Sequence, residues 1–153
     1  MEPLQFTTPL PCNVGYLHSI NFDQPYDLQK PATRAEKPDK EKAALSSAES
    51  WLSLVDGGKY CDSWNEAAGY FKGAMKEERW QETLQAVRKP LGKVISREVK
   101  SKSYHTSLPG APDGEYVVIQ FETSFENKKS AIETVTPMMD KDGKWRVSGY
   151  FIK

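Results

Sequence analysis

Glu133 and Arg97 are the two charged residues whose surroundings invite a chemical reading. Each interrupts an apolar alternation: Ala131, Glu133, Val135 in one stretch and Ile95, Arg97, Val99 in another. In an extended chain every second side chain shares a face, so both charges are placed among apolar neighbours. A charge in such a row marks either a site or a pair. As a site, Glu133 anchors a ligand or serves as a general base tuned by desolvation, and Arg97 clamps an anionic ligand with its planar fork. As a pair, the two form a structural ion bridge, or one of them reaches solvent at a rim. The plainer reading is the ion pair, because structural pairs perturb titration as readily as catalytic groups do.

Aromatic residues supply the second candidate set. Trp80, Phe121 and Phe151, together with Trp64 and Phe71, can line an apolar pocket. At their spacing they serve equally as plain core. Other chemistry lacks support. His18 and His105 stand too far apart and too isolated to nominate a metal site. No serine has a partner histidine at usable spacing, so a nucleophilic triad is not indicated. Gly57-Gly58 closes a helix, and Gly110 and Gly114 flank a turn, so none forms a phosphate loop. Cys12 and Cys61 fit neither a disulfide framework nor a zinc spacing; a bridge between them is open to the chain, but with Cys12 in a loose head the plainer reading is two unrelated thiols. No catalytic residue, metal or cofactor is therefore assigned.

These residues need a scaffold, and the chain supplies one after a loose start. Residues 1–40 hold Pro3, Pro9, Pro11, Pro25, Pro31 and Pro38, six of the ten prolines, and show no sustained period. Proline removes backbone donors and pushes its predecessor out of the helical region, so this head reads as extended and poorly structured. Residues 41–153 read as a single domain. Pro38-Asp39, with Asp39 as cap, opens a first helix carried by Leu45, Ala48, Leu52 and Val55 and stopped at Asp56-Gly57-Gly58. Tyr60, Trp64, Ala68 and Phe71 spell a second helix. Glu77 through Val87 spell a third, ending near Pro90-Leu91-Gly92.

The period then changes from 3.6 to 2. Four strands are expected at about 94–106, 115–125, 130–139 and 144–152. The turn Asp140-Lys141-Asp142-Gly143 suits a type I turn with Gly143 in the left-handed bulge position. That closure pairs Met139 with Trp145, Pro137 with Val147, Val135 with Gly149 and Glu133 with Phe151. One sheet face then carries Val117, Ile119, Phe121, Phe125, Ala131, Val135, Met139, Trp145, Val147 and Phe151, continued by Ile95 and Val99. The helices must bury their stripes against it. The fold class is α+β: three N-terminal helices packed on a curled four-stranded antiparallel sheet.

Charge and hydropathy narrow the partners. Lys plus Arg number 21 and Asp plus Glu number 21, so the net charge is zero. A nucleic-acid binder needs a net basic face, so no nucleic-acid partner is expected. No apolar run is long enough to span a bilayer, so no membrane partner is expected either. On the outer sheet face Tyr104, Tyr116, Val118, Ile132, Met138, Tyr150 and Ile152 alternate with polar residues. An apolar patch of this kind predicts a two-fold homodimer, the alternative being that the head, with Phe6, Phe22 and Tyr26, covers it within one chain.

From about residue 43 onward the order of short motifs resembles the bacterial domain-of-unknown-function family numbered 4019. The carrying residues are Trp51-Leu52 and Asp56, Tyr60 with Ser63-Trp64, Trp80, and Arg88-Lys-Pro-Leu-Gly92. Leu108 through Tyr116, Phe121, Phe125 and Glu133 follow, and then Asp142 through Tyr150. The family resembles the cone-shaped, nuclear-transport-factor-2-like or cystatin-like group, which implies a cavity between helices and sheet. It also implies export to the periplasm or medium, whereas this N-terminus lacks the basic start and apolar run of a signal peptide. The expected function is a non-catalytic small-ligand-binding module, with an apolar or amphipathic ligand held in the cone by Arg97, Glu133, Trp80, Phe121 and Phe151. The alternatives are a protein-interaction or structural accessory domain with a filled cavity, and a small-molecule isomerase or dehydratase.

Overall fold

A computed structural model of the chain describes residues 37–153. The expectations placed on residues 1–36, including the loose head, Cys12 and His18, lie outside them.

Helix α1 (Lys37–Asp56) is the long element of the helical layer. Its buried stripe, Ala44, Ala48, Trp51, Leu52 and Val55, recurs at helical spacing, and the helix lies across all four strands. Ala44 and Ala48 let it approach the sheet closely. Asp39 sits inside the first turn rather than capping it. The helix closes as expected at Gly57-Gly58. Lys59 N–H bonds Leu54 O at 2.9 Å and Gly58 N–H bonds Val55 O at 3.1 Å. Gly58 takes φ 74°, which favours glycine in such a cap.

The expected second helix is two helices, α2 (Tyr60–Asn65) and α3 (Gly69–Ala74), so the described residues hold four helices rather than three. The break has a visible cause. Ala68 turns extended, at φ −60° and ψ 149°, and its N–H bonds Val147 O on the edge strand at 2.8 Å. A continuous helix would spend that donor within itself. Helix α4 (Glu77–Arg88) completes the layer and buries Trp80, Leu84 and Arg88.

Strands β1 (Val94–His105), β2 (Tyr116–Phe125), β3 (Lys128–Met139) and β4 (Trp145–Ile152) form an open antiparallel sheet in the order β1-β2-β3-β4. The core lies between its inner face and the helices, with Val117, Ile119, Phe121, Val135 and Val147 beneath Trp51, Leu52, Val55, Trp80 and Leu84.

The β3–β4 turn forms as the sequence predicts. Asp140 N–H bonds Lys144 O, Gly143 takes φ 80°, and Met139 pairs with Trp145 and Pro137 with Val147. Beyond Pro137 the register shifts by one residue. Thr136 pairs with Gly149, Val135 with Tyr150 and Glu133 with Ile152. Pro137 has no N–H for the ladder, which is where strands accommodate bulges. Ser148 is the extra residue, and its Oγ donates to Thr136 O at 2.7 Å.

This shift exchanges the faces of the last residues. Tyr150 joins the inner face, and Phe151 turns outward, 58% exposed. Phe151 is therefore not an inner-face or pocket residue. On β1 the register slips at Ile95 and again at Lys100. Ile95 leaves the core, 66% exposed, and Val99 is also exposed although it pairs with Phe121. Tyr104, opposite Val117, packs against the core instead of the outer face. Tyr116 is buried, with its hydroxyl bonded to Pro112 O in the β1–β2 loop. The outer apolar set accordingly shrinks to Val118, Ile132, Met138 and Phe151.

Candidate functional site

Glu133 is fully buried, at 0% exposure, in the middle of β3. A carboxylate so placed survives only with donors around it. Its Oε1 accepts from Arg97 Nε at 2.8 Å and from Thr123 Oγ1 at 2.6 Å. Its Oε2 accepts from the Tyr150 hydroxyl. Arg97 stands opposite Thr123 on the neighbouring strand, which fixes the approach of its guanidinium. The sequence thus paired the right two residues, and their bond is the ion pair of the plainer reading.

The arrangement does not stop at a pair. Arg97 also holds both oxygens of Asp56, at 2.7 and 3.1 Å. Asp56 Oδ1 accepts in turn from Arg88 at 2.7 Å. Arg88 NH1 reaches the Tyr150 hydroxyl at 3.4 Å and so closes a ring. The guanidinium of Arg88 lies 5.0 Å from the centre of the Phe125 ring, within cation–π range. Two arginines and two carboxylates leave the ring formally neutral. Its members come from α1, α4, β1, β3 and β4, with Thr123 of β2 joined to Glu133.

Titration follows the geometry. Burial pushes the Tyr150 hydroxyl far up, and the adjacent Glu133 charge adds to that, so it stays protonated and donates. Burial alone would raise Asp56, but hydrogen bonds from Arg97 and Arg88 outweigh it and hold the carboxyl below its ordinary value. Arg97 is burdened by burial too, and its bonds to Asp56 and Glu133 keep it firmly charged.

Beside the ring lies an aromatic cluster. Trp51 meets Tyr150 edge-on at 5.3 Å, Trp51 and Trp80 lie 6.0 Å apart, and Phe71 meets Trp80 edge-on at 4.9 Å. Ser63 ties the two tryptophans together. Its carbonyl accepts from Trp51 Nε1 at 2.8 Å, and its hydroxyl accepts from Trp80 Nε1 at 3.0 Å while donating to Tyr60 O at 2.6 Å. Both buried indoles are thereby satisfied. Trp80 and Phe121 are core residues, Phe151 lies on the opposite face, and Arg97 and Glu133 are joined. No group of three or more His, Cys, Asp or Glu able to hold a metal occurs among the described residues.

Sequence reasoning gave Asp56 only the end of a helix and Tyr150 a place on the outer sheet face, and it assigned no site role to Arg88, Thr123 or Ser63. Alternation on β2, where Thr123 lies between Phe121 and Phe125, was the signal that could have put it on the inner face. Tyr150 was hidden by the register shift. Asp56 had a signal of its own, an acid at the negative end of a helix dipole.

No helix among the described residues is long and apolar enough to cross a membrane. No curated protein and no solved structure matches the chain. A family model does match, over residues 47–150, a stretch that contains every member of the ring and the aromatic cluster. The chain belongs to that family, described as "Protein of unknown function (DUF4019)".

Proposed function

We propose that this is a non-catalytic interaction or accessory domain whose interior is closed by its own side chains. The carrying observation is Glu133: it is fully buried, and its two oxygens take three donors from Arg97, Thr123 and Tyr150. A general base needs a lone pair that a substrate can reach and a ligand anchor an atom it can touch, and at 0% exposure Glu133 offers neither. Helices laid on one face of an antiparallel sheet support placing residues 41–153 in the cone-shaped group, with aromatic side chains in the place of a ligand.

Native mass spectrometry of protein purified from its own host tests this. The expected mass is that of the polypeptide without a small molecule. A stoichiometric retained ligand overturns the reading and restores a small-ligand-binding module.

The partner we favour is a second copy, meeting the outer sheet face through Phe151 and the Val118, Ile132 and Met138 of the same face. Light scattering should give a dimer for the wild type and a folded monomer for Phe151→Glu. A wild-type monomer at high concentration sinks the dimer.

A further inference from the structure

Arg88 and Arg97 carry two positive charges, and the sealed interior neutralises one of them through Glu133. The other is met at the rim, by Asp56. Asp56 is an unexpected anion for that duty. It is the last residue of α1, where the helix dipole is already negative. Its side chain is 27% exposed, so water reaches the contact, whereas Glu133 meets none. Arg97 grips both Asp56 oxygens in the parallel two-bond fork that a guanidinium makes with any planar carboxylate. Arg88 adds a third bond and keeps one further donor, Nε, buried and without a partner.

We infer that the Arg88–Arg97 pair is a carboxylate-binding site that Asp56 fills from within the chain, and that the carboxylate of a small acid takes the same place when Asp56 gives way. An external acid competes with Asp56 rather than with Glu133, because Asp56 is the ring carboxylate in contact with water. The site needs no cavity beneath the helices and so goes beyond the closed-interior reading.

The test is chemical rescue in the full chain. Asp56→Ala leaves the two arginines one anion short. Thermal unfolding is compared at pH 7 in acetate, formate and chloride of equal ionic strength. Acetate and formate should raise the Tm of the variant by several degrees, with saturation, while chloride does not and the wild type responds much less. Adding Arg97→Met should abolish the response. Equal shifts in acetate and chloride, or an acetate shift that survives Arg97→Met, overturn the inference. Where Asp56→Ala fails to fold in chloride, refolding yield becomes the readout. Recovery in acetate or formate alone carries the inference, and recovery in none of the three salts sinks it.

Discussion

The two ends of α1 are tied to the sheet by ionic clusters built to the same plan and set in different surroundings. At the N-terminal end Lys40 pairs with Glu115, which also accepts from the Tyr104 hydroxyl at 2.8 Å, and Lys40 lies 5.6 Å from the centre of the Tyr104 ring. At the C-terminal end Asp56 meets Arg88 and Arg97, and through Arg97 the buried Glu133. Both put the wrong charge on the helix: a lysine near its positive end and an aspartate at its negative end. Neither choice stabilises an isolated helix, so both point to tertiary partners. The difference is water. Lys40 and Glu115 are 24% and 30% exposed and Asp56 is 27% exposed, whereas Glu133 has no exposure and Arg88 and Arg97 only 5% and 15%. The same kind of bond therefore carries very different consequences when one partner is lost.

The largest expected effect lies at the dry end. Arg97→Ala or Glu133→Ala alone should cost about 3–5 kcal/mol, because the survivor remains buried without its counter-charge. The double variant should cost clearly less than the sum, with a coupling on the order of 0.5–3 kcal/mol. A total stability of about 5–15 kcal/mol is usual for a domain of this size, so the single variants should be close to unfolding. Urea titration of the four proteins closes the cycle. Additive effects would show that Asp56 and Tyr150 hold each survivor unaided, and the ring would be no more coupled than the wet end.

How much of this was legible can be read from the same residues. Charge in an apolar row found Arg97 and Glu133, and the helix-then-sheet order held. The hairpin turn was also right, because Gly143 and its neighbours fix that geometry locally. Failure came where a distant partner decided the outcome. Pro137 could have warned of a bulge, but nothing local says that Ser148 absorbs it, and that single residue decides whether Tyr150 or Phe151 faces the helices. The α2–α3 break likewise depends on Val147 O, 79 positions beyond Ala68. Asp56 and Lys40 were readable in principle, since a charge set against the helix dipole requires an explanation from elsewhere in the fold.

Acid should separate the two ends next. Asp56 and Glu115 are both held below their ordinary values, the arginine bonds overcoming burial in the first and the Lys40 and Tyr104 bonds overcoming it in the second. A depressed carboxyl contributes stability that is fully present above its unfolded pKa, about 4 for these groups. That contribution is lost as pH falls through the folded value. Urea midpoints should therefore hold from pH 7 to about 5 and drop below about 4. Asp56→Asn should flatten much of that drop, and salt should weaken the effect only in part, since Arg88 and Arg97 are less exposed than Lys40 while Asp56 itself meets water. Glu115→Gln should flatten little, and only in low salt. Identical pH profiles for the two variants would erase the contrast between the ends.

The smallest effect belongs to the wet end itself. Lys40→Ala removes a part-exposed ion pair, for which roughly 0.2–1 kcal/mol is the usual worth. Part of even that is offset, because the ammonium no longer opposes the positive end of α1. Tyr104 keeps its bond to Glu115, so the carboxylate is not left without a donor. A cycle of Lys40→Ala with Glu115→Gln should give a coupling below about 1 kcal/mol, and 1 M salt should abolish it. The Tyr104 hydroxyl offers an independent reading. Burial and then its bond to Glu115 push it up to about 12, so a spectrophotometric titration of Glu115→Gln should bring one tyrosine back toward 10. A coupling above about 2 kcal/mol, unmoved by salt, would mean that water does not reach Lys40 as its exposure implies. Both ends of the helix would then be anchored by the same physics.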